Sequence, residues 1–328
     1  MPELPEAEVI RRGLNSVLPG KVISSVVLSE PRSFVGSDDE LHNDLMGLCV
    51  VCVERRGKML LVRLVSNERV KVATPKPCEA ASVTALEAPP QVAGVEADLV
   101  LLIHLRMTGQ LVYRIPDQAD DPALSGGYPS ASLIGELPDK STRVIIGFCD
   151  GSKLYFNDQR KFGYMKLIAA SSLVDDDFLS RLGPEPLEPD FTWQDLRTAL
   201  LGKAGKLSTT TIKAALLDQE KLAGIGNIYA DESLFRAGID PRRSVSSLKP
   251  KDYQHLLVGI RECLMQSIAA GGSTARNYVD ALGLRGEFLD LHAAVYGRTG
   301  KPCPNCGRPI VKIRVAGRGT HLCEKCQR

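Results

Sequence analysis

Residues 1–8 read M-P-E-L-P-E-A-E, and two of them are equipped to do chemistry together. A proline at position 2 is small enough for the initiator methionine to be removed. The chain then begins with a secondary amine at Pro2, followed at once by the carboxylate of Glu3. A free α-amino group has a pKa of roughly 7.7–8.0, so a sizeable fraction is neutral and nucleophilic near pH 7. Attack of a secondary amine on a sugar or carbonyl carbon gives an iminium ion, the Schiff-base form of covalent catalysis. A plainer reading of the same residues is that Pro2 and Pro5 start a helix, since proline suits a first helical turn.

Two further motifs carry chemistry. Four of the nine cysteines fall as Cys303-x2-Cys306-x16-Cys323-x2-Cys326. Two close pairs of thiolates match a structural tetrahedral zinc site. Gly307 and the Gly317-Arg318-Gly319 turn suit a β-hairpin finger around one Zn2+. The metal would contribute folding energy on the order of 10 kcal/mol to a tail too short for its own core. Two disulfides are the alternative. Cys49-x2-Cys52 has the same spacing, but it lies in an apolar run with no partner pair and reads as core packing. The stretch 222–229, L-A-G-I-G-N-I-Y, is a glycine-flanked turn opening a helix. Backbone N–H groups in such a turn can hold a phosphate, with Asn227 as an added donor. An ordinary helix start reads the same way.

The elements that must position these groups follow from periodicity. A helix is expected over 5–18, with Ile10, Leu14, Val17 and Leu18 on one face and Pro19-Gly20 stopping it. Short runs rich in Val, Ile and Leu predict strands at 21–28, 48–55, 59–65, 99–105, 110–115, 143–149, 153–156 and 164–168. Asp150-Gly151 is a hairpin signal between two of them. Many short strands with turn punctuation imply a β-sandwich or barrel. Two Pro-, Ala-, Gly- and Ser-rich stretches, about 66–98 and 116–142, read as mobile surface insertions in hairpin connections. From Leu182 the pattern turns helical. L-G-P-E-P-L at 182–187 opens a stiff hinge, and helices follow at 192–201, 209–217, 227–237 and 251–270, the last ended by Gly271-Gly272.

The whole chain bounds the function class. Its 328 residues allow about two domains, and 44% hydrophobic with 24% charged residues is ordinary for a globular protein. The net charge of +2 says little, but from Lys301 to Arg328 seven basic residues face one acid, Glu324. A local basic tail is the footprint of a nucleic-acid binder. An acidic N-terminus without an apolar core argues against a signal peptide, and no apolar run reaches the roughly 18 residues of a membrane helix. With the CxxC pairs, this implies a reducing, cytoplasmic compartment.

Seven motifs, in order, resemble the formamidopyrimidine-DNA glycosylase family. They are M-P-E-L-P-E at 1–6, R-R-G-K at 55–58, H-L-R-M-T-G at 104–109, R-K-F-G at 160–163, L-G-P-E-P-L at 182–187, G-I-G-N-I-Y-A-D-E at 224–232 and G-R-G-T-H-x-C at 317–323. The resemblance spans the chain apart from the two insertions. It implies an α+β protein. Residues 1–181 would form an N-terminal catalytic β-sandwich domain with flanking helices, and 182–190 a hinge. Residues 191–300 would form an all-α helix–two-turn–helix DNA-binding domain whose loop at about 273–288 caps the lesion, and 301–328 the zinc finger. It also implies the activity: a bifunctional DNA glycosylase and abasic-site lyase of base excision repair, acting on oxidised purines in double-stranded DNA. Pro2 would attack the anomeric carbon and expel the base. Glu3 would move protons at the sugar as its ring opens. Lys58 would bind a flanking phosphate and assist, with Glu6 in support. Successive β- and δ-elimination from the iminium would cleave both phosphates. The target base must first be flipped out, at a few kcal/mol. Met107 would fill its place, Phe162 would wedge between bases of the opposite strand and Arg160 would bond the orphaned cytosine. Asn227 and Arg318 would clamp phosphates. Arg276, Asn277 and Tyr278 lie in the capping loop without individual assignment. The protein would be cytoplasmic, associated with the nucleoid through DNA, and nothing in the motifs requires more than a monomer.

Taken singly, Met107 and Phe162 read as core residues and Lys58 as a surface lysine at a strand end. The nearest alternative is endonuclease VIII, which prefers oxidised pyrimidines. Leucine at position 4, where that relative typically has glycine, and the 160–162 wedge argue against it. A non-catalytic damage sensor would be expected to lack Pro2, Glu3 or Lys58. A bare zinc-ribbon interaction module leaves the motifs at 160–163 and 224–232 unexplained.

Overall fold

The computed structural model describes residues 2–66, 96–116, 137–201, 209–274 and 285–328. Most of both expected insertions, and Arg276, Asn277 and Tyr278 of the expected capping loop, lie outside the described residues. The chain divides into two compact units. The first holds Pro2 and Ala7–Asp176, and the second holds Glu3–Glu6, Asp177–Arg276 and Gly286–Arg328.

Helix α1 (Leu4–Val17) has its first turn in the second unit and the rest in the first. The first unit continues with β1 (Ile23–Leu28), α2 (Asp38–Leu45), β2 (Leu48–Arg56), β3 (Met59–Ser66), β4 (Leu99–His104), β5 (Gly109–Arg114), β6 (Thr142–Phe148), β7 (Lys153–Asp158) and β8 (Tyr164–Ala169). All eight expected strands form, each within two residues of its expected ends. They make two antiparallel four-stranded sheets, ordered β1-β6-β7-β5 and β2-β3-β4-β8. One core joins them: Val26, Val144, Phe156 and Leu111 from the first sheet meet Val53, Val62, Leu101 and Met165 from the second, with Ile10 and Leu14 of α1. This is the β-sandwich with flanking helices. At the β6–β7 turn Gly151 takes φ +82° and the Asp150 carboxylate accepts the Ser152 N–H at 3.0 Å. Helix α2 was not legible in the sequence. Its eight residues carry only two apolar side chains, Leu41 and Leu45, which are buried one turn apart.

The second unit is helical, then ends in a hairpin. It comprises α3 (Trp193–Leu201), α4 (Ile212–Leu217), α5 (Asn227–Ala237), α6 (Pro250–Ala269), α7 (Phe288–Leu291), β9 (Val311–Val315) and β10 (Arg318–Leu322). Thr192 and Asp195 form a capping box: the Asp195 N–H reaches Thr192 Oγ1 at 3.3 Å and Thr192 N–H reaches Asp195 Oδ2 at 2.8 Å. Helix α4 starts later than the expected 209, because Thr211 acts as its cap by accepting from Ala214 N–H. Gly238, at φ +69°, closes α5. The buried Tyr229, Tyr253, Leu256, Ile260 and Leu264 form the centre of this core.

The stretch 182–190 is tied to this second unit. Gly183 N–H donates to Gln219 O, Ala223 N–H donates to Pro184 O, and the Arg261 guanidinium donates to the carbonyls of Pro186, Glu188 and Phe191. The division between units falls upstream of it, between Asp176 and Asp177. Among the described residues, no helix is long and apolar enough to cross a membrane.

Candidate active site

In the second unit, Glu3 is seated at the start of α5. It is 3% exposed, and its carboxylate accepts the N–H of Ile228 at 3.1 Å and of Tyr229 at 3.5 Å. A helix start offers unpaired N–H groups and the positive end of the macrodipole, so it suits an anion. The glycine-flanked turn is what makes room. A Cβ on Gly226 would overlap the Glu3 carboxyl group, and one on Gly224, at φ +93°, would meet the Leu4 side chain. The N–H groups that the sequence offers to a phosphate are therefore, at Ile228 and Tyr229, committed to Glu3. Leu4 N–H donates to Gly224 O at 3.0 Å, which pins the N-terminal strand of backbone to this turn.

Glu6 is buried below Glu3. Its Oε2 accepts the Glu3 N–H at 2.8 Å, while Oε1 accepts from Tyr229 OH and from both the N–H and the hydroxyl of Ser273, each of the latter at 2.8 Å. The peptide that follows Pro2 is thus fixed by a carboxylate that is itself fully hydrogen-bonded. Pro2 is half-buried.

Asn227 and the finger come together in the same unit. Asn227 Nδ2 donates to Gly319 O at 3.1 Å, beside Arg318, which is exposed. Gly319 O also accepts from Lys213 Nζ at 3.1 Å, and Lys213, fully buried, bonds Asp231 Oδ1 at 2.6 Å and Thr320 Oγ1 at 2.7 Å. Burial pulls the Lys213 ammonium down, against the pull of Asp231. Asp231 Oδ2 holds the His321 N–H at 2.8 Å. Lys213 does not stand out in the sequence, since a lysine at the head of a short helix gives no sign of burial, and Asp231 is a letter of the 224–232 motif to which the resemblance gives no role.

The four cysteine sulfurs lie within 4.8 Å of one another, with Cys303–Cys326 at 3.8 Å and Cys306–Cys323 at 3.5 Å. A tetrahedron with Zn–S bonds of about 2.3 Å has edges of about 3.8 Å, so the cluster fits one structural zinc. Disulfides need sulfurs about 2.0 Å apart. Burial first, and then the neighbouring thiols, push the Cys326 thiol up, whereas a backbone N–H from Arg308 pulls Cys306 down. Between β9 and β10, Ala316 and Gly317 take φ +47° and +77°, the two-residue hairpin loop that presents Arg318.

In the first unit, Met107, Arg160 and Phe162 converge. Met107 and Phe162 are 45% and 53% exposed. Arg160 Nη1 lies 3.1 Å from Met107 Sδ, and its guanidinium lies 4.8 Å from the centre of the Phe162 ring. Neither apolar side chain belongs to the core, so the plain core reading fails for both. The fully buried Asp158 organises them. It accepts from Thr108 OH, from Arg160 N–H at 3.1 Å, from Phe162 N–H at 2.8 Å and from Gly163 N–H at 2.7 Å. Lys161 takes φ +57° between them. Asp158 is equally inconspicuous in the sequence, where it ends a strand as any aspartate might.

Lys58 sits with Gly57, at φ +57°, in the β2–β3 turn and is 7% exposed, so the surface-lysine reading fails too. Arg55 braces that turn, donating to Gly57 O at 3.2 Å and to Glu8 at 3.0 Å. Glu8 also pairs with Arg11 and Arg12. Burial pushes the Glu8 carboxyl up, but the three arginines outweigh it and hold it down at about 2. A folded value below the unfolded 4.5 means that this stabilisation is complete above about pH 4.5 and is lost as pH falls toward 2. Glu8→Gln is expected to lower unfolding free energy at pH 7 by on the order of 1–3 kcal/mol. Denaturant melts across pH should show the gap closing between 4.5 and 2; a gap independent of pH would assign the loss to packing alone.

Comparison with known proteins places these features in one family. Residues 1–165 match the formamidopyrimidine-DNA glycosylase N-terminal domain, 182–279 that family's H2TH domain, and 300–328 the zinc finger found in FPG and IleRS. The chain is 37% identical over 328 residues to the formamidopyrimidine-DNA glycosylase of Desulfitobacterium hafniense and 35% identical over 329 residues to that of Listeria innocua, covering 100% of each chain. Among solved structures it resembles Lactococcus lactis Fpg bound to DNA containing an abasic site, with a TM-score of 0.77, 31% identity and 99% of both chains covered. The wild-type Lactococcus lactis enzyme with N7-benzyl-Fapy-dG DNA matches equally well, at TM-score 0.77 and 31% identity. With all three of its parts matched in order and end to end, this chain belongs to the formamidopyrimidine-DNA glycosylase family.

Proposed function

We propose that the protein is a DNA glycosylase and abasic-site lyase of base excision repair that removes oxidised purines, 8-oxoguanine and formamidopyrimidines, from double-stranded DNA. The observation that carries this reading is the seating of Glu3. A carboxylate adjacent to an N-terminal secondary amine is held by the first N–H groups of α5 and backed by Glu6. Pro2, freed of its methionine, attacks the anomeric carbon and the base leaves. Glu3 takes and returns protons at the sugar oxygen as the ring opens. The resulting iminium acidifies the neighbouring sugar proton, and elimination cleaves the strand. Lys58 neutralises a phosphate next to the lesion. Met107 fills the place of the everted nucleotide, Phe162 wedges between bases of the opposite strand and Arg160 bonds the orphaned cytosine. Asn227 and Arg318 clamp the backbone, and the four cysteines hold the zinc that shapes the finger. We assign the sandwich domain to the residues before the division at Asp176–Asp177, the helical domain to those from there to 300, with 182–190 as its first stretch, the finger to 301–328, and a cytoplasmic, nucleoid-associated location.

Borohydride trapping tests this. A duplex with 8-oxoguanine opposite cytosine should give a covalent adduct that maps to Pro2, and an undamaged duplex should give none. Tight binding without an adduct would favour a sensor. Neither binding nor adduct would point to oxidised pyrimidines.

Gly226→Ala gives a sharper test of Glu3. The new Cβ must expel the Glu3 carboxylate from the start of α5. Single-turnover excision is expected to fall by about 100-fold, the usual weight of a positioned acid–base group. Affinity for a duplex carrying an uncleavable abasic analogue should change little. Excision at the wild-type rate would show that Glu3 does not act from this seat.

A further inference from the structure

Tyr229 touches both carboxylates of the candidate site. Its backbone N–H faces Glu3 Oε2 at 3.5 Å, and its hydroxyl meets Glu6 Oε1. That hydroxyl also lies 2.6 Å from Ser267 Oγ. The proton directions follow from counting. A carboxylate only accepts, so the single phenolic proton points to Glu6, and Ser267 must donate to the phenol oxygen. The result is a buried chain, Ser267 to Tyr229 to Glu6, running from α6 through α5 to the first turn of α1. Tyr229 and Ser267 are fully buried and Glu6 is 1% exposed. The same Glu6 oxygen grips Ser273, four residues past the end of α6, by its N–H and hydroxyl. Burial, then Glu6 and Glu3, push the phenol well above its ordinary 10, so it stays a donor throughout the working range.

We propose that Tyr229, seated on Ser267, is a positioning residue that orients Glu6 and, through it, both the peptide after Pro2 and Ser273. A buried apolar core explains the tyrosine ring, which packs 5.5 Å from Phe288 between centroids, but not the hydroxyl. The hydroxyl lies in the low-dielectric interior, where a hydrogen-bonded chain is strengthened along its length. Phenylalanine would keep the ring and remove only this link. The inference rests on the glycosylase/lyase reading of the site.

The test uses the full-length zinc-loaded protein, with Tyr229→Phe, Ser267→Ala, Glu6→Gln and the Tyr229→Phe/Glu6→Gln pair. Each is assayed well below its melting temperature by single-turnover excision and borohydride trapping at saturating enzyme, beside affinity for a duplex with an uncleavable abasic analogue. Loss of one buried hydrogen bond to a charged group predicts about a 10-fold slower excision for Tyr229→Phe, with near-normal affinity. Ser267→Ala should lose less, since Tyr229 still reaches Glu6. The pair should be no slower than Glu6→Gln alone, because both changes break the same chain. A wild-type rate for Tyr229→Phe, losses that multiply in the pair, or a rate loss matched by an equal fall in affinity would each overturn the proposal. Absence of any adduct with the unaltered protein would instead sink the glycosylase/lyase reading and this inference with it.

Discussion

Pro2→Gly is expected to bind damaged duplex as the unaltered protein does and to excise and trap at least about 100-fold more slowly. The reason lies in the order of the amine. A secondary amine that condenses with the sugar carbon gives an iminium at once, with a fixed positive charge on nitrogen that serves as the electron sink for elimination. Glycine offers a primary amine. Its imine must pick up a proton before it can draw electrons, and its freer backbone spreads the nucleophile over more positions. The rest of the site remains in place: Glu3 stays on the N–H groups of Ile228 and Tyr229, and Glu6 still holds the Glu3 N–H. Met107, Arg160, Phe162 and Arg318, the proposed DNA contacts, are untouched, so affinity should survive. Single-turnover kinetics and anisotropy with an uncleavable duplex separate the two effects. Wild-type strand cleavage by Pro2→Gly would remove Pro2 from the chemistry. A retained N-terminal tag gives an independent check, because it turns the amine into an amide and should abolish trapping altogether.

The elements that were legible in the sequence are those whose signal is local. Short runs rich in Val, Leu and Ile marked eight strands, and Asn227–Ala237 matches its expected helix at both ends because Gly226 precedes it and Gly238 follows. The cysteine spacing named its own geometry. What could not be read are contacts between a side chain and distant backbone. Glu3 reaches α5 across more than 220 positions, and the reason for Gly226, space for a carboxylate, is visible only once both are placed. Asp158, Lys213, Tyr229 and Ser267 share this character. Each is a polar group buried with its partners, and nothing in a polar residue's neighbours tells whether it faces water. The family resemblance supplied roles for Pro2, Glu3, Glu6, Lys58, Met107, Arg160, Phe162, Asn227 and Arg318, but none for Asp158, Lys213 or Ser267. Helix α2 escaped notice for a third reason: two buried leucines in eight residues give too short a period to stand out.

Cys303→Ala, or removal of the metal by a strong chelator, is expected to damage more than the finger. The finger's own core is small: Phe235, Val295, Cys303, Ile310 and Cys323. Without the cation, three remaining thiols and so little apolar area cannot hold the β9–β10 hairpin. The consequence then passes to Lys213. Its fully buried ammonium has acceptors on Asp231, Gly319 and Thr320, two of which belong to the hairpin. When the hairpin leaves, the Lys213 ammonium loses two of these three acceptors and keeps its ion pair with Asp231. Asn227 is parted from the Gly319 carbonyl at the same time. Wild-type protein should contain one zinc per chain by elemental analysis and Cys303→Ala none. The variant should melt earlier by an amount felt in α4 and α5, seen as faster amide exchange there. Duplex affinity should fall by at least about 10-fold at moderate salt. Its salt dependence should flatten by about 0.9 in log–log slope for each phosphate that the finger no longer neutralises, because each neutralised phosphate releases counterions. Unchanged affinity and slope after the metal is stripped would take the finger, and Arg318 with it, out of the DNA-binding surface.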